Sequence, residues 1–147
     1  MQIPARLSSV DFLREKCREH GLKVTPQRVA IYKELLKSKD HPNAEALFNR
    51  VRNTFPDISL DTVNRTLLSF AEIGIIDIVE GYGEPRRYDP DIKNHHHFRC
   101  VNCGTIIDFA EESYARIKVP QEIKKTVVVL NKKVLLEGYC HNCRKKI

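Results

Sequence analysis

No stretch of this 147-residue chain approaches the ~18 consecutive apolar residues of a membrane-spanning helix, which excludes a helical membrane protein. Met1 to Arg6 lacks the apolar stretch and cleavage site of a secretory signal, so the expectation is a cytoplasmic chain. Cysteine is sparse and uneven: Cys17 stands alone, and the next is Cys100. In a reducing compartment five cysteines do not make a disulfide framework. Four of them form two C-x-x-C pairs, and that pattern asks for another chemistry. The rest fits one ordinary domain or two small ones, with 41% hydrophobic residues for packed cores and 30% charged residues for a solvated surface. A formal net charge of +6 is compatible with an anionic partner or with a merely solvated basic surface.

The two halves differ in hydrophobic period. In the first, Ser8 or Ser9 caps a helix with Val10, Leu13 and Cys17 on its apolar face, ending at Gly21. That spacing makes Cys17 a core thiol. Thr25-Pro26 is a cap followed by proline at the first helical position, with Val29, Tyr32, Leu35 and Leu36 behind it. His41-Pro42-Asn43 breaks that helix and starts another, carrying Ala44, Leu47, Phe48 and Val51. Ser59 caps a fourth, with Leu60, Val63, Leu67 and Phe70 on one stripe and Gly74 closing it. Then the period shortens: Ile75 to Glu80 reads as a strand, Gly81-Tyr82-Gly83 as a turn and Arg86 to Tyr88 as the returning strand. Helix-turn-helix followed by a hairpin is the winged-helix arrangement. On the fourth helix Thr62, Arg65, Thr66 and Ser69 point away from the apolar stripe, a short polar face suited to a DNA major groove, with Arg65 reaching a guanine edge or a phosphate.

Asp89 to Asn94 reads as a short hinge, so the expected division is 1–88, 89–94 and 95–147. Beyond the hinge, strands are expected at His95 to Cys100, Thr105 to Phe109, Lys125 to Leu130 and Lys133 to Tyr139. Short helical structure falls between Glu111 and Ile123, and a tight turn at Asn131 to Lys133. The fold class is therefore α+β: an N-terminal winged helix-turn-helix domain and a small C-terminal α/β domain. That second half is too short for a comfortable core, so a metal or a partner subunit should help to hold it.

Cys100-x-x-Cys103 and Cys140-x-x-Cys143 each end a strand, where two thiolates can converge on one ion. Four thiolates suit tetrahedral, redox-inert Zn2+ as a structural rivet. A thioredoxin-like redox pair would need a different strand-helix context. His95-His96-His97 is a second cluster. Strand alternation puts His95 and His97 on one face and His96 with Cys100 on the other, and Asp108 on the neighbouring strand can join the first pair. Asp89 lies at the start of the hinge. Nitrogen and carboxylate donors suit iron(II), manganese(II) or zinc(II), although three histidines in a row also occur as a solvated turn.

Four segments, in order and spacing, resemble the ferric uptake regulator family. They are Gly21-Leu22-Lys23-Val24-Thr25-Pro26-Gln27-Arg28, His41-Pro42-Asn43-Ala44-Glu45, Asp61-Thr62-Val63-Asn64-Arg65-Thr66-Leu67 and His95-x-His97-x-x-Cys100-x-x-Cys103-Gly104. The likeness runs from about residue 8 to Cys143, and the histidine-cysteine run is its most specific part. It implies a metal-dependent transcriptional repressor, not an enzyme, acting as a homodimer on palindromic, A·T-rich double-stranded DNA through a C-terminal dimerisation domain. It adds His41 to the second metal site, giving His41, Asp89, His95, His97 and Asp108 as ligands of a regulatory Fe2+ or Mn2+. It adds Lys23 near a minor groove and Asn64 beside Arg65 on the reading helix. The family usually has tyrosine at the position of Asn64, which puts the usual operator sequence in doubt.

Within the family, iron sensors typically carry glutamate where this chain has Asp89 and Asp108, and peroxide sensors carry aspartate. Cys103 to Phe109 is similar to the peroxide branch. Asn94, Ala115 and Lys132 cannot supply the second regulatory site of several iron sensors. The zinc branch's extra cysteine before the histidines is missing, and the nickel branch generally lacks the cysteine pairs. The resemblance thus implies a sensor of hydrogen peroxide in which bound iron directs oxidation of His41 or His95, with an iron-responsive repressor as the alternative. A hydrolytic metalloenzyme is a distant third, since no general base or substrate cleft can be named.

Overall fold

The computed structural model of the chain describes residues 9–79 and 85–147, which divide into two compact units between Lys93 and Asn94. Four helices build the first unit: α1 (Val10–Glu19), α2 (Pro26–Lys37), α3 (Ala44–Val51) and α4 (Leu60–Glu72). Each starts on a side-chain cap. Ser9, Thr25, Asn43 and Ser59 accept from the backbone N–H of Phe12, Arg28, Ala46 and Thr62, respectively. Gly21 and Gly74, at φ +67° and +81°, end α1 and α4 in a left-handed conformation that costs glycine little. The apolar stripes meet in one core containing Leu13, Cys17, Ile31, Tyr32, Leu47, Val63 and Phe70, so Cys17 is a buried core thiol. Burial accordingly raises its pKa, against a smaller opposing effect of Arg28.

Ser59 shows how local chemistry sets the reading helix. Its Oγ accepts from Thr62 N at 3.0 Å and lies 2.9 Å from Thr62 Oγ1. Ser59→Ala is expected to cost ~1 kcal/mol. Urea denaturation followed by helical circular dichroism should show a lowered midpoint at unchanged slope, and an unmoved midpoint would show that the cap contributes nothing.

Strands β1 (Asp77–Ile78) and β2 (Tyr88–Asp89) pair antiparallel, Asp77 opposite Asp89 and Ile78 opposite Tyr88. This ladder is shorter than the expected one because Ile75 and Ile76 are buried in the helical core instead of continuing the strand. Val79 N still donates to Arg87 O at 2.8 Å. The expected turn at Gly81-Tyr82-Gly83 lies outside the described residues. On its other side this segment meets the start of α3: Asn43 bridges Arg87, and Tyr88 N donates to Pro42 O at 3.0 Å. Asp89 to Lys93 fold as consecutive side-chain turns, Asp91 N donating to Asp89 Oδ1 and Lys93 N to Asp91 Oδ1, and Ile92 packs on the helical core.

The second unit holds a three-stranded sheet in the order β4 (Ile106–Phe109), β3 (His96–Cys100), β5 (Leu135–Gly138). β3 is antiparallel to β4 and parallel to β5. Between β4 and β5 lie a 3-10 turn at Glu112–Arg116 and the short helix α5 (Gln121–Lys124), which starts after Pro120. The strand expected at Lys125 to Leu130 is absent, as is its hairpin with the last strand. Thr126 N and Val127 N donate back to Ile123 O, a turn that takes the start of the run out of any ladder, and β5 stays at the edge of the sheet. A valine-rich run becomes strand only when a partner ladder receives it. In this chain Val128 and Leu130 are 86% and 91% exposed. The unit's buried apolar residues, among those described, are three of its cysteines and Ile106. No helix of the described residues is long and apolar enough to cross a membrane.

Candidate metal centres and nucleic-acid interface

Cys100 ends β3, and Cys103 follows on a knuckle closed by Gly104 N donating to Cys100 O at 3.0 Å. Gly104 sits at φ +76°, a turn that other side chains rarely adopt. Cys140 and Cys143 follow β5, whose register sets Gly138 opposite Cys100. Parallel pairing of β3 and β5 therefore delivers both C-x-x-C pairs to the same end of the sheet. One sulfur from each of the four cysteines lies within 4.8 Å of all the others. The Cys103 and Cys140 sulfurs are 3.7 Å apart. Tetrahedral zinc with ~2.3 Å bonds spaces its sulfurs by about 3.8 Å, so the donors fit that ion.

The surroundings favour thiolates unevenly. Backbone N–H groups of Cys103 and Cys140 hold the Cys100 thiol down at about 6. The Thr105 hydroxyl, 3.0 Å from the Cys103 sulfur, lowers that thiol too. At Cys143 the Asn102 amide, donating at 3.2 Å, favours the thiolate, but burial and the three neighbouring thiols prevail and raise it to about 11. Four thiolates gathered without a cation repel one another, and a divalent ion relieves that repulsion.

Each unit also carries a smaller group of nitrogen and carboxylate donors. In the C-terminal unit the β3–β4 register sets His97 opposite Asp108, and His97 Nε2 lies 3.2 Å from Asp108 Oδ1. His95 Nε2 is 3.0 Å from His97 Nε2 and 3.7 Å from the same carboxylate oxygen. Neighbouring donors on an ion with ~2.1 Å bonds stand about 3 Å apart, so these three side chains are spaced as co-ligands. His96 faces the other way, between Phe109 and Tyr114, and its Nδ1 accepts from Val134 N at 3.0 Å. In the N-terminal unit His41 Nε2 lies 3.4 Å from Asp89 Oδ2, and both residues are buried. His41 is in the left-handed region at φ +50°, unusual for a residue with a Cβ. Nearby, the Arg50 guanidinium pairs with Asp40 and lowers its carboxyl pKa.

Lys23, Thr62 and Arg65 border one surface groove of about 520 Å³ between the start of α2 and the outer face of α4. Thr25, Gln27, Arg28, Thr66 and Ser69 complete it, and a helical reading of α4 alone could not have found the α2 residues. Arg65 is exposed and paired with Asp61 at 2.8 Å. Two expectations for α4 need correction. Thr66 borders the groove as expected but is otherwise buried, because it stands three residues after Val63 and four before Phe70, both of them buried. Leu60, expected on the apolar stripe, is 44% exposed at the helix's first turn. Asn64 does not border the Lys23–Arg65 groove; it lines another, with Leu60, Asn43, Pro85 and Arg86.

A winged-helix unit joined to a small sheet unit that carries a four-cysteine knot and a histidine–carboxylate cluster defines a metal-responsive regulator class. The sequence pattern of the Ferric uptake regulator family matches residues 19–136. The chain is similar to the peroxide-responsive repressor PerR of Staphylococcus epidermidis, 30% identical with 97% of each chain covered. Its fold matches a structure of the Helicobacter pylori ferric uptake regulator Fur, described as revealing three functional metal binding sites. The TM-score is 0.80 at 26% identity, covering 98% of this chain and 97% of that one. It also matches the Campylobacter jejuni peroxide stress regulator with a TM-score of 0.65 at 26% identity, covering 91% and 98%. The chain belongs to the ferric uptake regulator family, and it is a metal-dependent transcriptional regulator of that family.

Proposed function

We propose that this chain is a homodimeric repressor that senses hydrogen peroxide through a regulatory ion held by His41, Asp89, His95, His97 and Asp108. The observation that carries the reading is the donor set: three imidazoles and two aspartates, each spaced from its neighbours as co-ligands are within its own unit. Nitrogen and oxygen donors of this kind fit Fe2+ or Mn2+, whereas the four thiols fit a structural Zn2+. An ion taking ligands from both units would favour one arrangement of the reading helices over others, and so raise DNA affinity.

Iron(II), if held by these residues, would supply the redox chemistry that activates hydrogen peroxide and would be restored at the end of the event. Overall, the imidazole of His41 or His95 would give up two electrons and one ring C–H would become C–OH, the other peroxide oxygen leaving as water. The modified ring is a poor ligand, and affinity for DNA falls with the ion. Since each event consumes the protein, this is a sensor and not an enzyme. The high structural likeness to the Helicobacter pylori regulator favours a second reading, an iron-responsive repressor with the same DNA-binding face.

Pairing of two copies is supported by the apolar surface of the C-terminal unit, where Ile107, Val127, Val128, Leu130 and Leu136 are exposed. DNA recognition is assigned to Lys23, Thr62, Asn64 and Arg65. Arg65→Ala should weaken operator binding by about ten- to hundred-fold, the equivalent of ~1–3 kcal/mol for one base contact. Lys23→Ala should chiefly reduce the salt dependence. Fluorescence anisotropy of promoter DNA tests the function itself. Binding is expected with Mn2+, absent with chelator, and abolished by peroxide only in the iron-loaded protein. Equal binding in all conditions would remove the metal switch.

A further inference from the structure

Three successive backbone carbonyls around His41, those of Asp40, His41 and Pro42, accept hydrogen bonds, and two arginines from distant positions do much of the tying. Arg87 Nε donates to His41 O at 2.6 Å, and Arg87 Nη2 donates to Asp40 O at 2.5 Å. Arg50 grips the Asp40 carboxylate with both terminal nitrogens, Nη2 to Oδ2 at 2.7 Å and Nη1 to Oδ1 at 3.3 Å. Its Nη1 also donates to Ser38 Oγ at 2.7 Å, and that hydroxyl donates to Glu34 O at 2.7 Å in the last turns of α2. Pro42 O is taken by Tyr88 N at 3.0 Å. The residue held in this frame is His41, at φ +50°, where a side chain with a Cβ persists only if its surroundings over-determine it.

We propose that Arg87, backed by Arg50, is a positioning residue for the regulatory ion: its guanidinium holds His41 in its left-handed conformation and joins that ligand to the wing strand. The proposal rests on His41 being a ligand. Its geometry is specific. A planar guanidinium can serve two carbonyl oxygens of successive residues, which an ammonium on a flexible stem cannot do with the same rigidity. Neither arginine needs to touch the ion. Groups that orient a ligand without touching the ion are commonly worth about ten- to hundred-fold in affinity.

The frame also has a direction. Arg87 belongs to the segment that pairs through its backbone with Val79 on one side and Asn43 on the other, and Tyr88 and Asp89 follow it immediately. The same short stretch therefore places one proposed ligand, Asp89, through the main chain and a second, His41, through the Arg87 side chain. A shift of the wing strand moves both. By linkage, whatever fixes the wing on DNA should tighten the ion, and the ion should steady the wing.

The test uses the full-length, zinc-loaded protein with the regulatory site emptied by mild chelation. Mn2+ affinity is read from the free-ion signal in electron paramagnetic resonance, beside amide hydrogen exchange of residues 38–43. Arg87→Met is expected to weaken Mn2+ by at least about ten-fold and speed exchange in that segment. Zinc content and the thermal unfolding midpoint should stay near wild type. Arg87→Lys, which restores one donor, should fall between, and Arg50→Gln should show a smaller loss in the same sense. A purely structural arginine would lower the unfolding midpoint in all three without this graded loss of Mn2+ affinity, and that result overturns the proposal. Wild-type affinity in Arg87→Met, while His41→Ala loses the ion, would also overturn it and leave the assignment of His41 standing. Wild-type affinity in His41→Ala itself would bring down both.

Discussion

Replacing Cys100 with serine is expected to release zinc and leave a C-terminal unit that no longer folds, with loss of the dimer. The size of the effect follows from what that unit lacks. Apart from Ile106, its buried apolar residues among those described are cysteines of the metal knot, and much of its aliphatic content is on the surface. A structural zinc contributes an apparent ~10–16 kcal/mol at neutral pH, against ~5–15 kcal/mol for the net stability of a whole domain. The backbone N–H groups of Cys103 and Cys140 hold the Cys100 thiol down at about 6, so serine removes a donor already favoured as thiolate and leaves three thiols without their fourth. Zinc stoichiometry, sedimentation and dispersion of amide resonances would report the change. Cys17→Ala is the control: its thiol is in the helical core, and zinc and dimer should both survive at a cost of ~1 kcal/mol. A stable zinc-free dimer of Cys100→Ser would mean that the four thiols are not the rivet of this unit.

His41→Ala should do the reverse, sparing the fold while abolishing the response to metal. His41 is outside the apolar core, and its backbone partners are carbonyl contacts that alanine retains. With Mn2+ present, affinity for promoter DNA is expected to fall by about hundred-fold, to the metal-free level, equivalent to ~2.7 kcal/mol of lost coupling. Binding isotherms with and without Mn2+ should then superimpose. A variant that still tightens on DNA when Mn2+ is added would take His41 out of the site.

The parts of the molecule governed by neighbours in sequence were legible there. Ser9, Thr25 and Ser59 act as the caps their positions announced, and the helices stop at Gly21 and Gly74. The four cysteines were legible for a different reason: a C-x-x-C pair states its own geometry, since two thiols that close can share one ion. His95, His97 and Asp108 followed from strand alternation and register. His41 did not. Locally it reads as a helix-breaking surface residue, and only the family resemblance brought it to Asp89. Arg87 and Arg50 carry no signal at all, because their partners are backbone carbonyls or lie ten or more residues away. The misplaced strand at Lys125 to Leu130 has a similar cause. Its valines satisfy every local criterion, but the run starts in a turn, Thr126 N and Val127 N donating back to Ile123 O, and β5 keeps β3 as its one strand neighbour among the described residues. Thr66 was half legible: it borders the groove with Thr62, Arg65 and Ser69 as expected, but helical phase also sets it beside Val63 and Phe70 and leaves little of it exposed.

The central claim, that this family member reads hydrogen peroxide through its own ligand histidines, is tested most directly by mass spectrometry. Protein loaded with iron(II) without oxygen is exposed to about one equivalent of hydrogen peroxide, beside a manganese-loaded control, and the peptides carrying His41 and His95 are compared. The account expects one oxygen atom added to His41 or His95 in the iron sample and none with manganese. Unmodified histidines, with DNA released only as iron is withdrawn, would contradict it and leave an iron-responsive repressor.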